Sequence, residues 1–279
     1  MTSPILQAED VVVEYRGKGF GAKSFQALHG VSFDLSPGET LGLVGESGSG
    51  KTTLGRAVLG LAPVVSGTVR FDGRDITRLP ARQRRALGRE IQVVFQDPYS
   101  SLSPSMTIES ILTEPLTAAG VHRRDAHAKV VELLDRVGLP SASRTRLPRE
   151  FSGGQRQRVA IARALALDPR VIVCDEPVSA LDLSTQARVL DLFIEIQERT
   201  GVAYLFISHD LSVVRHISHR VAVMYRGEIV EIGDGDQVTS RPTHPYTQKL
   251  FLAAPVSDPD EQRKRRMLRR ELVNTGDGS

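Results

Sequence analysis

TLGLVGESGSGKTT occupies residues 40–53 of the chain. It joins an apolar run, residues 41–44, to the segment 45–52, which fits the pattern G-x-x-x-x-G-K-[ST]. The apolar run is typical of a buried strand. After the loop, residues 53–61 place apolar side chains at helical spacing, and the pattern stops before Pro63. The sequence therefore predicts a strand, a glycine-rich loop and a helix in direct succession.

This loop has the composition of a phosphate-binding cradle. Gly45, Gly48 and Gly50 allow the backbone to turn so that several N–H groups point inward, and the following helix presents the positive end of its dipole to the same point. Lys51 can then reach the β- and γ-phosphates of a nucleotide, and the Thr52 hydroxyl is placed to ligate Mg²⁺. For the loop taken alone, the alternative is a glycine turn that caps an ordinary helix.

Composition limits the class of protein. With 279 residues and 40% hydrophobic content, the chain can bury a full core, as one large domain or one domain with an appendage. The net charge of +3 comes from interspersed charges, so we expect no nucleic-acid partner. Cys174 is the only cysteine, which excludes an internal disulfide framework and favours a reducing compartment. The sequence begins with no signal peptide and contains no run of about 18 apolar residues, so we expect any membrane-spanning helices to come from another subunit.

Hydrophobic periodicity predicts an alternation of strands and helices. We predict strands at 10–15, 27–35, 41–44, 67–73 as an edge strand, 91–96, 170–176 and 203–209, and a closing hairpin at 220–225 and 228–232. We predict helices at 107–116, 124–137, 153–168 and 185–199. This order is typical of an α/β nucleotide-binding fold that carries a helical insert.

Polar residues follow several of these apolar segments. Ser152, followed by two glycines, begins a helix. Such a turn suits an anion, and Ser152 acting as a plain N-cap is the alternative, which is compatible with an anion site. Asp175 and Glu176 end a buried strand, where two carboxylates are costly unless they meet a cation or accept a proton. His209 also ends a buried strand, and such a residue is more often structural than catalytic.

Six motifs occur in one fixed order along the chain. They are GESGSGKT at 45–52, Gln96 after a strand, FSGGQ at 151–155, VIVCDEP at 171–177, SALD at 179–182, and His209. Together they resemble the ATPase subunit of an ABC transporter, over residues 10–235. The resemblance implies an α/β P-loop NTPase core with a mixed sheet, an antiparallel β subdomain and an inserted helical subdomain at about 97–165. We expect this ATPase domain to span 1–235 and a short C-terminal extension to span 236–279.

The resemblance implies a role for each matched residue, with ATP and Mg²⁺ as ligands. Glu176 would polarise the attacking water, His209 would sense the γ-phosphate, and Gln96 would complete the catalytic set. Tyr15 would stack on the adenine, with Phe25 as its competitor. The phosphates would be held by Gly45, Glu46, Ser47, Gly48, Ser49, Gly50, Lys51, Thr52 and Thr53. Mg²⁺ would be surrounded by Thr52, Gln96 and, through water, Asp175.

The resemblance also implies partners. Ser152, Gly153, Gly154 and Gln155 would contact ATP bound to a second cassette, identical or paralogous, in a head-to-tail dimer, and Asp182 would form the D-loop. Two transmembrane permease subunits would receive the movement through the helical insert near residues 96–99. An extracytoplasmic solute-binding protein would act indirectly. The chain would then lie on the cytoplasmic face of the cell membrane as a peripheral subunit.

The segment RPTHPYTQKL at 241–250 resembles an extension found on the ATPases of oligopeptide and dipeptide importers and of their nickel and glutathione relatives. A proline-punctuated loop before an exposed helix is the alternative. The resemblance favours import of di- or oligopeptides, and the alternatives are nickel or another small solute, or an ABC-type ATPase of a non-transport assembly such as a phosphonate-degradation complex or a translation factor.

We expect His244 and Tyr246 to pack against the core. We expect residues 263–266 to form a solvated helix face. No cysteine follows the motif, so we expect no iron–sulfur cluster.

Overall fold

A computed structural model describes residues 3–17, 23–97 and 101–253 of the chain. The strands are β1 (Leu6–Tyr15), β2 (Phe25–Leu35), β3 (Thr40–Val44), β4 (Val64–Phe71), β5 (Arg74–Asp75), β6 (Ile91–Val94), β7 (Val171–Asp175), β8 (Ala203–Ile207), β9 (Arg220–Tyr225) and β10 (Glu228–Asp234). The helices are α1 (Lys51–Val58), α2 (Ala81–Leu87), α3 (Ile108–Ala118), α4 (Arg123–Arg136), α5 (Gly153–Leu165), α6 (Leu183–Thr200), α7 (Leu211–Ile217), α8 (Gly235–Ser240) and α9 (Pro245–Ala253).

The strands form two sheets. One is antiparallel, with the order β2-β1-β4-β5, and the other has the order β10-β9-β3-β8-β7-β6. In the second sheet β9, β3, β8, β7 and β6 run parallel, and β10 pairs antiparallel with β9. The prediction of an α/β fold with a mixed sheet, an antiparallel β unit and a helical segment is therefore confirmed. Because β3, β7 and β8 are parallel, their carboxyl ends meet at one edge of the sheet.

The mixed sheet separates two hydrophobic cores, because side chains on a strand alternate between its faces. Val173 and Leu205 face a core shared with the antiparallel sheet and α1. Cys174 and Phe206 face a second core, which contains residues of α3, α4, α5, α6 and α7. A strand buried on both faces reads as a continuous apolar run, and VIVC and AYLFI are such runs.

Most predicted elements are confirmed, with shifts of a few residues at their ends. The helical segment carries α3 and α4, and no strand occurs in its described residues from 101 to 152. The strand predicted at 91–96 ends at Val94, so that Gln96 lies two residues beyond it. The strand predicted as the edge at 67–73 is the second strand from the edge, since Asp72 and Gly73, both with positive φ, turn the chain back into β5.

The helix α2 was not predicted, and it has no buried residue. Its sequence, ARQRRAL, therefore lacks the apolar periodicity on which the other helix predictions rest. Across residues 3–17, 23–97 and 101–253, no helix is both long enough and apolar enough to cross a membrane.

A buried polar contact joins the end of α6 to the start of β3. The Gln197 side-chain amide donates hydrogen bonds to Thr40 Oγ1 at 3.0 Å and to the carbonyl oxygen of Val202 at 3.0 Å. Thr40 is fully buried, and Gln197 is 9% exposed. Without the Thr40 hydroxyl, one donor of the amide would lose its partner inside the protein, which is costly.

We expect Thr40→Val, which keeps the shape of the side chain and removes its hydroxyl, to lower the free energy of unfolding by about 1–3 kcal/mol. Thr40→Ser is the matched control, since it keeps the hydroxyl and loses one methyl group worth about 0.8 kcal/mol. Urea titration followed by circular dichroism measures both. A Thr40→Val protein that is as stable as the unaltered chain would contradict a stabilising role for this contact.

Candidate active site

The phosphate loop begins where β3 ends. Gly45 has φ +152°, and a Cβ atom there would lie 2.2 Å from the carbonyl oxygen of Met224 on β9. Gly50 has φ +106° and is the N-cap of α1. These two positions require glycine because the backbone either approaches another strand closely or adopts a left-handed conformation. The predicted strand, loop and helix are thus confirmed, and the loop sits at the start of α1, which is an anion-binding position.

Lys51 is folded into this loop and is 5% exposed. Its Nζ atom donates to the carbonyl oxygens of Gly45 at 2.8 Å and Glu46 at 2.9 Å. Burial lowers the pKa of Lys51, and the negative charges of Glu176, Asp175 and Glu46 oppose this effect. The loop therefore holds a desolvated amine whose charge a bound anion would stabilise.

Thr52 and Asp175 meet next to the loop. The Thr52 hydroxyl donates to Asp175 Oδ1 at 3.0 Å, across 123 residues of sequence. Burial raises the pKa of Asp175, although the bond from Thr52 opposes the shift. A hydroxyl and a partly buried carboxylate are hard oxygen ligands of the kind that Mg²⁺ prefers, so these two residues fit the predicted metal site.

Glu176 and His209 form the next pair along the same edge. His209 Nδ1 lies 3.0 Å from Glu176 Oε2. The Glu176 side chain is 17% exposed, whereas that of His209 is 57% exposed. Glu176 has φ +49°, a left-handed conformation that costs free energy for a residue with a side chain. The N–H group of Glu176 donates to the carbonyl oxygen of Ile207 on β8, which holds the residue in this conformation.

Gln96 and the two aromatic candidates, Tyr15 and Phe25, lie outside these contacts. Gln96 is exposed, and it follows β6 on the side of β7, whose carboxyl end carries Asp175. Tyr15 pairs with Phe25 across β1 and β2, and Phe25 is 66% exposed, whereas Tyr15 packs in part against the core. Both aromatic residues therefore lie at one end of the antiparallel sheet, and both stay candidates for the adenine contact.

Ser152 and Gln155 form a reciprocal cap at the start of α5. The Gln155 N–H donates to Ser152 Oγ at 3.3 Å, and the Ser152 N–H donates to Gln155 Oε1 at 3.0 Å. Ser152 is thus an N-cap, as one of the two interpretations held. Within the part of the chain that the structure describes, neither residue makes a hydrogen bond to the phosphate loop.

Gly154 connects this turn to Asp182. A Cβ atom on Gly154 would lie 2.2 Å from Thr185 Cγ2, so any side chain there would displace the side chain of Thr185 at the start of α6. Asp182 accepts hydrogen bonds from the Thr185 N–H at 3.0 Å and from the hydroxyls of Ser184 and Thr185 at 2.7 Å each. These bonds hold the pKa of Asp182 well below its usual range. The turn and the cap of α6 are therefore packed together as one unit.

One contact of the phosphate loop could not be found from the sequence. The hydroxyl of Tyr246 accepts a hydrogen bond from the Glu46 N–H at 3.2 Å. The expectation that Tyr246 packs against the core is met in part, because its ring lies 4.2 Å from the ring of Tyr225. Two hundred residues separate Tyr246 from Glu46, and no local pattern relates positions so far apart.

Comparison with known proteins agrees with this geometry. The family model described as ABC transporter matches residues 28–179, more than half of the chain. The glutathione import ATP-binding protein GsiA of Pectobacterium atrosepticum is 51% identical over 270 residues, which are 95% of this chain and 43% of that protein. The chain thus spans less than half the length of this curated relative.

Two solved structures share the fold. The structure of cbiO1 from Clostridium perfringens, part of the ABC transporter complex cbiONQ, has a TM-score of 0.75 at 27% identity and covers 85% of this chain and 91% of its own. The dimeric structure of the ATP-binding cassette MJ0796 in a post-hydrolysis state with ADP and Pi has a TM-score of 0.73 at 28% identity and covers 82% and 98%. The family match, together with these structures and the arrangement of the phosphate loop, shows that the chain belongs to the ABC transporter family.

Proposed function

We propose that this chain binds and hydrolyses ATP and thereby powers a membrane importer. One observation supports this most directly. Three groups of polar side chains follow the carboxyl ends of three neighbouring parallel strands and converge at one edge of the sheet. They are Lys51, the pair Thr52 and Asp175, and the pair Glu176 and His209. Transfer of a phosphoryl group to water requires an amine, a pair of oxygen ligands for a metal ion, and a carboxylate, and this edge of the sheet provides all of them.

Lys51 would bind the β- and γ-phosphates. Its Nζ already uses two hydrogen bonds on loop carbonyls, which fix the direction of the side chain and leave its charge free for the nucleotide. Because the amine is desolvated, its interaction with phosphate oxygens is stronger than it would be in water. The N–H groups at the start of α1 would add further donors to the same oxygens.

Glu176 would orient the attacking water and accept its proton at a carboxylate oxygen. His209 Nδ1, at 3.0 Å, fixes one of the two carboxylate oxygens and leaves the other for water. The strained φ of Glu176 aims this side chain beyond the end of β7. His209 is the more exposed partner, and it would therefore be the one to contact the γ-phosphate.

Mg²⁺ would be held by Thr52 and Asp175, with Gln96 as the third expected residue. When bound, the ion would neutralise charge on the phosphate oxygens. The Thr52 and Asp175 oxygens lie 3.0 Å apart and fit such an ion. Gln96 follows the neighbouring strand, β6, at the same edge of the sheet.

A second cassette would complete the site. Ser152 is exposed, and within the described residues it makes no hydrogen bond to its own phosphate loop. Because Gly154 packs on the unit capped by Asp182, both features would face a partner together. MJ0796 is a dimer in its post-hydrolysis structure, and this supports a pair of cassettes here, which we propose to be arranged head to tail.

The solute would belong to the peptide class. GsiA, 51% identical, is named as a glutathione import protein, and glutathione is a small peptide. This favours import of glutathione or of di- and oligopeptides over the non-transport alternatives. The cassette would then act at the cytoplasmic face of the membrane, beside two permease subunits and an extracytoplasmic binding protein.

Lys51→Ala tests the phosphate cradle. We expect ATP affinity to fall about 10- to 150-fold, since a charge-assisted hydrogen bond is worth about 1.5–3 kcal/mol and Lys51 Nζ has one N–H left for the phosphates. Isothermal titration calorimetry measures the Kd. The control is Lys129→Ala, which removes an ion pair on α4 and should leave the Kd unchanged. Equal ATP affinity in the Lys51 variant and the unaltered chain would refute the cradle.

Glu176→Gln tests the base. The amide keeps the size of the side chain but cannot accept the proton, so we expect kcat for ATP hydrolysis to fall by about 10²–10⁴ while ATP binding is retained. Release of inorganic phosphate provides the rate. Glu195→Gln, an exposed change on α6, serves as the control and should hydrolyse ATP normally. Undiminished turnover of the Glu176 variant would exclude it as the base.

Ser152→Arg tests the composite site. The arginine would block the exposed turn, so we expect ATP hydrolysis to fall at least about tenfold, whereas the dilute monomer should bind ATP within about twofold of the unaltered chain. Ser141→Arg, also exposed in the helical segment, is the control and should change neither quantity. If the Ser152 variant loses ATP binding as a monomer, Ser152 acts on the nucleotide of its own chain and the head-to-tail proposal is wrong.

A further inference from the structure

One peptide group of the phosphate loop is held from both sides. The carbonyl oxygen of Gly45 accepts a hydrogen bond from Lys51 Nζ at 2.8 Å. The N–H of Glu46, which belongs to the same peptide group, donates to the hydroxyl of Tyr246 at 3.2 Å. An amide that donates a hydrogen bond becomes a better acceptor at its carbonyl, so the two contacts reinforce each other. The loop lysine and the C-terminal segment thus share one backbone unit.

The position of Tyr246 is itself fixed by several contacts. The Glu231 carboxylate on β10 accepts hydrogen bonds from the N–H and hydroxyl of Thr243 and from the N–H of His244. These bonds, which involve two N–H groups and a hydroxyl, hold the pKa of Glu231 below its usual value against the effect of burial. His244 Nδ1 in turn accepts from the Tyr246 N–H at 3.2 Å.

The tyrosine ring is held as well. It lies 4.2 Å from the ring of Tyr225, the last residue of β9, at an interplanar angle of 35°. β9 pairs with β3, the strand that leads into the phosphate loop. The Tyr246 hydroxyl is therefore held near Glu46 in two ways. Its ring packs on Tyr225 of β9, and the backbone before it is bonded to Glu231 of β10. A group placed so firmly can restrict the loop rather than follow it.

We propose that Tyr246 is a positioning residue of the phosphate loop. Its hydroxyl holds the peptide group between Gly45 and Glu46 in the orientation in which the carbonyl oxygen braces Lys51, and so it raises the affinity for the triphosphate. The C-terminal segment from 241 to 250 is then a part of the nucleotide site rather than an appendage. This inference rests on the proposed ATP binding at Lys51.

The test compares two hydroxyl deletions in one stacked pair. Tyr246→Phe keeps the ring on Tyr225 and removes the acceptor of the Glu46 N–H. The matched control, Tyr225→Phe, removes the hydroxyl of the other ring, which makes no hydrogen bond to the phosphate loop within the described residues. We expect Tyr246→Phe to raise the Kd and KM for ATP about three- to tenfold, the effect of one lost hydrogen bond, with kcat changed less than twofold and Tm lowered by no more than about 5 °C. The control should match the unaltered chain in all four quantities.

Three outcomes of this comparison would overturn the inference. The first is a Tyr246→Phe protein that binds ATP as tightly as the unaltered chain. The proposed function would still stand in that case if Lys51→Ala loses ATP binding. Equal weakening by both tyrosine variants would assign the effect to ring packing. If the unaltered chain does not bind ATP, the proposed function and this inference are both wrong.

Hydrogen exchange provides a second measurement, which begins with the unaltered chain. In the unaltered chain without nucleotide, the Glu46 amide should exchange at least about tenfold more slowly than an unbonded exposed amide, because Tyr246 accepts its proton. In Tyr246→Phe the protection at this amide should be lost, whereas that of β3 should persist. An unprotected Glu46 amide in the unaltered chain would overturn the inference.

Discussion

The site depends on a single electrostatic constraint, the burial of the Lys51 amine within its own loop. A desolvated ammonium group is unfavourable unless dipoles or charges surround it. The loop supplies two carbonyl oxygens at 2.8 and 2.9 Å, and Asp175 and Glu176 add negative charge nearby. The carbonyls hold the amine in place without neutralising it, because they are only dipoles, and the expected Mg²⁺ would offset the charge of the carboxylates. A polyanion is therefore the ligand that such a site binds best.

The sheet explains why these charges meet. Parallel strands end at one edge, and β3 lies at the centre of the mixed sheet between β9 and β8, with β7 next to β8. Each strand is buried along its length, so the polar residues that the chain needs for chemistry lie just past its end. Because the strands are buried and their carboxyl ends are exposed, the polar residues that follow them lie together at the surface. The strained backbone of Glu176 shows that the position of this carboxylate is maintained at a cost in stability.

The fold was largely predictable because its decisive patterns are local. Continuous apolar runs predicted β3, β7 and β8, and glycine spacing predicted the loop. The polar helix α2 escaped because nothing in it is buried, and the two-residue strand β5 is too short to show periodicity. For the site, motifs indicated the residues, but the Thr52–Asp175 and Tyr246–Glu46 contacts span 123 and 200 residues and needed the folded chain.

The helix α6 relates the cap at Asp182 to the phosphate loop. Its 18 residues extend for about 27 Å, since each adds about 1.5 Å. At its start, Asp182 caps the helix and Gly154 packs on Thr185. Near its end, Gln197 bonds to Thr40 at the base of β3. Between these ends the helix buries Val189, Phe193 and Ile196 in the second core, so polar and apolar contacts together join the exposed turn at Asp182 to the strand that carries the phosphate loop.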